Sequence, residues 1–213
     1  MLRNLGILFF DEDKQTYSPG LRLVRLAHAS WAQSSLAPVA APHLDWLSGE
    51  LDMTLHLAQL DGGQVLYIDK RNSARPAEMF SQAGKVVPAY CTGIDKAMLA
   101  HLKEPSLGQA IDRQSFYKFT SRTVGSAGSL RDELSAIRAR GYALDNEEHE
   151  QGKICVAVPI LARTGRVLGG LSATSTSTEL KIEELGEIAP RLARVAALIA
   201  LDAENWRFPE RPG

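Results

Sequence analysis

Only two of the 213 residues are cysteine, Cys91 and Cys155, and their spacing matches no metal-ligand pattern. A disulfide scaffold and a zinc site are therefore not what holds this chain together, and two buried thiols in a reducing compartment are the expectation. Charge of either sign is equally scarce in excess: the formal net charge is −1, which gives no overall field to attract nucleic acid or an anionic surface. No apolar run approaches the roughly 20 residues a membrane helix needs, and the N-terminus lacks the charged-then-apolar pattern of a signal peptide. The expectation is a cytoplasmic protein with no membrane partner. Also absent are a P-loop, a dinucleotide fingerprint, a G-x-S-x-G elbow and any internal repeat, so no cofactor and no metal are called for.

What is present is ordinary globular composition, 45% hydrophobic and 23% charged, in a chain long enough for one sizeable core with a small appendage. The most informative stretch runs from Gly141 to Ser175. Lys153–Ile160 and Arg166–Thr174 are β-prone runs around the turn at Ala162–Gly165, which predicts an antiparallel hairpin. Alternation places Ile154, Val156, Val158 and Ile160 on one face as core, and Lys153, Cys155 and Ala157 on the other. On the return strand Val167, Gly169, Leu171 and Ala173 alternate with Leu168, Gly170, Ser172 and Thr174. If Cys155 and Ala157 lie beside Ser172 and Thr174, the sheet has a surface of small, weakly polar groups. Such a surface leaves room for a small molecule; it equally lets a helix pack closely. Lys153 on that face favours an anionic ligand such as a small carboxylate, or else snorkels to water from the strand's start.

The pattern R-x-x-G-Y-A-x-D-x-E-E-x-x-x-G-x-x-C-V-A-x-P-I, Arg138 to Ile160, resembles the effector-binding domain of the IclR family of bacterial transcriptional regulators. Gly84–Pro88, Thr92–Gly93 and Lys96–Ala100 resemble a second segment of that family, and Leu5–Gly6, Asp11, Tyr17, Gly20 and Arg22–Leu23 resemble its wing and linker entry. The resemblance implies an α/β (α+β), GAF-like or profilin-like domain, with an antiparallel central sheet flanked by helices. It implies a wing hairpin at 1–20, a linker helix at 21–38, an effector-binding domain at 39–205 and a tail at 206–213. By resemblance Met79, Val87, Gly93, Ile94 and Asp145 match positions that line the effector cavity. Tyr90 stands where a histidine is common, Asp95 where a glycine is common, and Lys153 where the residue is often apolar. A winged helix needs three helices before its wing. Only Met1–Leu5 precede Gly6 here, about one helical turn, so the DNA-reading head is expected to be incomplete. From Met1 to Trp31 four basic side chains face three acidic ones, too little for tight phosphate contact by this segment alone. DNA binding is expected only through a complete head or an intact partner subunit.

Along the rest of the chain, Leu21–Leu36 carries a helical stripe that serves either a homodimer (or homotetramer) or packing on its own domain. Pro38 and Pro42 punctuate it before a helix over His43–Leu51. Leu55–Leu60 and Gln64–Ile68 predict a hairpin around Asp61-Gly-Gly63, and His56 and Tyr67 are read as plain strand-face residues. Ala77–Ser81 predicts a strand. Gly93 at a loop-to-helix junction can offer its N–H to a carboxylate. Ser129 fits the N-cap of a helix ending at Gly141. The run Asp145–Glu150 reads as an acidic loop of surface residues apart from Asp145. Glu179 to about Glu204 predicts an amphipathic helix covering the sheet. The competing function is an enzyme built on Cys155 with Asp145, or Cys91 with His101.

Overall fold

The structure is a computed structural model that describes residues 1–61, 64–73 and 86–205, without the side chains of 32–34, 61, 86–87 and 205. The predicted strand at Ala77–Ser81, the expected cavity residue Met79 and the tail from residue 206 lie outside the described residues.

Two short strands, β1 (Leu8–Asp11) and β2 (Thr16–Pro19), pair antiparallel as a sheet of their own. Their turn is closed by the Asp11 carboxylate, which accepts the N–H groups of Asp13 and Lys14 at 3.1 and 3.0 Å. Helix α1 (Leu21–Ser34) follows, and Leu21, Val24 and Leu26 are exposed along it, so its apolar stripe is not covered by its own domain. Helix α2 (Ala37–Glu50) begins six residues before the expected start. Pro38 sits in its first turn, where no N–H is needed, so that proline opens the helix instead of breaking the chain. Pro42 is carried inside it.

The main sheet is built from β3 (Thr54–Asp61), β4 (Gln64–Arg71), β5 (Val86–Val87), β6 (Ala143–Asn146), β7 (Lys153–Leu161) and β8 (Val167–Thr176), in the order β5-β4-β3-β8-β7-β6 and antiparallel throughout. Both predicted hairpins, β3–β4 and β7–β8, are present. Their alternation divides the protein into two cores. Leu55, Leu57, Ile154, Val156, Val158, Ile160, Leu171 and Ala173 face α2 and the long helix α6 (Ile182–Asn205), whose Leu185, Leu192, Val195 and Ile199 are sealed against them. The opposite face, including Ala58, Val65, Tyr67 and Ala157, is covered by α3 (Gly93–Leu99), α4 (Ser106–Asp112) and α5 (Ala127–Arg140). An antiparallel sheet flanked by helices is the architecture the family resemblance implies, and here the helices cover both faces. No helix among the described residues is long and apolar enough to cross a membrane.

Two boundaries differ from expectation. Ser126, not Ser129, caps α5: its hydroxyl accepts the Ser129 N–H at 3.1 Å, and Ser129 lies inside the first turn. Asp145 belongs to strand β6, not to a loop, because its backbone pairs with Cys155. The Gly141 stop is as predicted, with φ 86° in the left-handed region that favours glycine.

Candidate functional site

Register brings the small-residue face together. Thr54, Thr174, Cys155 and Asp145 form one row across β3, β8, β7 and β6, and Lys70, His56, Ser172, Ala157 and Ala143 form the adjacent row. Residues directly opposite in antiparallel strands project to the same side, so Cys155 does lie beside Thr174 and Ala157 beside Ser172. Lys153 continues the same face of β7, opposite Thr176.

Helix α3 lies close over these rows. A Cβ at Gly93 would stand 2.7 Å from the Cys155 sulfur and 3.4 Å from the Asp145 nitrogen. One at Gly170 would meet Ile94 at 2.9 Å and Met98 at 3.1 Å. Small residues thus serve close helix packing over this part of the face: Ile94, Cys155 and Ser172 are all buried. Thr174 and Asp145 differ from their sealed neighbours Thr54 and Cys155, for each keeps accessible surface although both stand within the sheet. Val87 pairs with Val65 through β5 at the far edge.

A group of buried charges lies between α3 and the β6–β7 connection. Lys96 on α3 is 1% exposed and donates to Glu148 Oε1 at 2.5 Å, with Glu133 3.8 Å away. Glu148 is buried, a correction to its reading as a surface residue: Thr123 Oγ1 donates to its carbonyl at 2.6 Å, and Thr120 Oγ1 to that of Glu147 at 2.7 Å, drawing the loop inward. The Glu148 N–H in turn donates to Asp145 Oδ1 at 2.8 Å. Burial, then the Glu148 carboxylate, pushes the Asp145 carboxyl up to about 7. Burial raises Asp95 well above the carboxylate range too, and Asp145 adds to it. Tyr67 and His56, read as plain strand-face residues, belong to this face: their rings meet edge to face at 5.5 Å, and burial holds His56 down to about 3. At the strand ends stand Lys153 and Lys70; burial and then Lys153 push Lys70 down. Lys153 makes no ion pair among the described residues.

Sequence reasoning missed Lys96–Glu148 and the burial of Asp95. The available signal was an acid and a lysine side by side in a short helix whose other residues are Gly, Ile, Ala, Met and Leu.

The raised Asp145 value has a consequence for stability. The folded state keeps a proton that the unfolded chain releases near pH 4, so this contribution is present at acid pH and is lost as pH rises toward 7. Urea unfolding between pH 4.5 and 7.5 should show stability falling with pH, and Asp145→Asn should flatten that slope. An unchanged slope would remove the shift assigned to Asp145.

Neither thiol suits a nucleophile. Burial and neighbouring carboxyls raise both Cys91 and Cys155, whereas a reactive cysteine needs its value lowered. Among the described residues no group of His, Cys, Asp and Glu could hold a metal ion.

Comparison with known proteins agrees with this architecture. The family description "Bacterial transcriptional regulator IclR C-terminal" matches residues 28–201. The chain is 31% identical over 208 residues to the HTH-type transcriptional regulator KdgR of Escherichia coli, covering 98% of this chain and 79% of that protein. It is 32% identical over 195 residues to XynR of the same organism, covering 92% and 77%. The crystal structure of Thermotoga maritima IclR superposes with a TM-score of 0.79 at 30% identity, covering 94% of this chain and 81% of that one. The C-terminal domain of E. coli KdgR gives 0.70 at 32% identity, covering 78% and 97%. The relatives are transcriptional regulators, and nothing in their names speaks for the enzyme alternative. With the sheet, its two helical layers and the Arg138–Ile160 motif in place, the chain belongs to the IclR family of bacterial transcriptional regulators.

Proposed function

We propose that this regulator senses a small organic anion, a carboxylate, on the α3 side of its sheet, and that binding changes DNA affinity through rearrangement of a homodimer or tetramer in the cytoplasm. The observation that carries the reading is the accessible surface of Thr174 and Asp145 amid sealed neighbours, with Lys153 on the same face. Lys153 and Lys70 repel one another at that end, and an anion between them removes the repulsion. Of the expected site residues, Asp145, Lys153 and Thr174 are assigned contact with ligand. Gly93, Ile94, Cys155 and Ser172 form the packed floor, and Met79 and Val87 enter only through the family resemblance. The exposed stripe on α1 is assigned to a second copy of the chain. A carboxylate that binds one subunit arrangement better than another shifts the population by that difference in affinity and by no more.

A thermal-shift screen of aliphatic and aromatic carboxylates on the wild type and Lys153→Met tests this. At a hundredfold excess over Kd a ligand stabilises by about 2.7 kcal/mol. The shift should fall sharply in Lys153→Met. Equal shifts in both proteins would remove the role given to Lys153, and the absence of any shift across the set would count against a carboxylate ligand.

A further inference from the structure

Asp95 is wholly buried in α3, and among the described residues neither of its carboxylate oxygens has a hydrogen-bond partner. A buried polar group left in that state opposes folding unless something completes it. The Thr92 hydroxyl, whose contact is with the Asp95 backbone N–H at 3.4 Å, eases its ionisation only in part. Asp95 raises Tyr67 and is itself raised by Asp145, and Gly93, two residues before Asp95, comes against Asp145, where an added Cβ would lie 3.4 Å from its nitrogen, so these groups lie near one another beneath α3. Asp145 Oδ1 accepts the Glu148 N–H, and among the described residues Oδ2 makes no hydrogen bond. Lys96 is the only buried lysine or arginine among the described residues, and it is already engaged by Glu148, whose second oxygen is itself buried without a partner. The compartment therefore holds more buried acid than buried base, while Lys153 and Lys70 stand toward the strand ends of the same face.

We infer that the ligand is an amino-carboxylate, whose ammonium group lies between Asp95 and Asp145 and whose carboxylate meets Lys153. This rests on the sensing role proposed above and specifies the ligand's second functional group. An ammonium offers three donors, and the two carboxyls have three oxygens open to receive them; a hydroxyl offers one donor and brings no charge. The span is suitable as well. Lys153 is two residues along β7 from Cys155, the strand partner of Asp145, roughly 7 Å of strand. The flexible lysine stem then accommodates chains of several carbons. Burial disfavours the ionised form of Asp95, and an arriving ammonium supplies a charge that offsets this.

Straight-chain carboxylates of three to six carbons, each as the plain, ω-hydroxy and ω-amino acid, can be titrated calorimetrically into the whole chain, the wild type beside Asp95→Asn and Asp145→Asn. Both substitutions keep side-chain shape, and the amide introduced by Asp145→Asn retains an oxygen for the Glu148 N–H. The expected result is that an ω-amino acid binds at least tenfold more tightly than its plain and hydroxy counterparts, with the preference lost in either variant. Plain, hydroxy and amino acids binding alike, or an amino preference that survives in Asp95→Asn, would overturn the inference and leave carboxylate sensing standing. No binding by any member would overturn the inference, while the screen of aliphatic and aromatic carboxylates decides the reading on which it rests.

Discussion

Lys96→Met is expected to lower the stability of the folded chain by about 3–5 kcal/mol, because it leaves Glu148 buried without its counter-ion. Desolvating an ion is expensive, and a lone buried carboxylate escapes the penalty only by taking up a proton. Burial already raises Glu148, with Lys96 the main opposing influence, so the variant should need that proton more. The sign follows: a raised carboxyl favours folding at low pH and loses that contribution as pH rises. Urea denaturation should therefore find a larger deficit at pH 8 than at pH 5. The double variant Lys96→Met, Glu148→Met removes both charges and should recover most of the loss. A single variant within about 1 kcal/mol of wild type at both pH values would show that the pair is not shielded from water as described.

Gly93→Ala is expected to destabilise by about 1–3 kcal/mol, since its new methyl carbon would stand 2.7 Å from the Cys155 sulfur at the tightest approach of α3 to the sheet. Cysteine is short, so its sulfur has no long stem by which to withdraw. Removing that sulfur isolates the effect. In Gly93→Ala, Cys155→Ala the remaining contacts, 3.4 and 3.5 Å to the Asp145 nitrogen and Cβ, are ordinary. A double-mutant cycle should then return a favourable coupling of about 1 kcal/mol or more. Additive effects would mean that α3 and β7 already stand farther apart. The same cycle bears on ligand sensing, because a displaced α3 carries Asp95 away from Asp145, and an ω-amino acid should lose affinity in Gly93→Ala before a plain carboxylate does.

Much of this architecture was legible without coordinates, for an identifiable reason. Ile154, Val156, Val158 and Ile160 alternate at the period of a strand, Leu185, Leu192 and Ile199 recur at that of a helix, and Gly141 marks an end that only a residue free of a Cβ reaches without strain. These signals are local, since each is carried by neighbours in the chain. The alignment of Cys155 with Thr174 and of Ala157 with Ser172 stood in the sequence only as a condition, and the β7–β8 register, with its irregularity at Ile160–Leu161, meets it. Pro38 and Ser129 misled by small margins because a proline is welcome in a first helical turn and two serines three residues apart offer the same cap chemistry.

The buried charges were not legible in this way. Lys96 and Glu148 are 52 residues apart, and although the apolar neighbours of Lys96 hint at its burial, nothing near Glu148 says that water will be excluded from it too. Glu148 sits in a run of acids that reads as solvated loop until Thr120 and Thr123 draw its backbone inward. Asp95 stands out in the sequence only as a residue where a glycine is common, and its complete burial appears only once α3 is packed into the fold. Periodicity decided which side chains of a strand or helix face together, because that geometry belongs to the local backbone. Only the tertiary structure decided which polar groups lose their water, because desolvation depends on segments distant in sequence closing over the same few atoms.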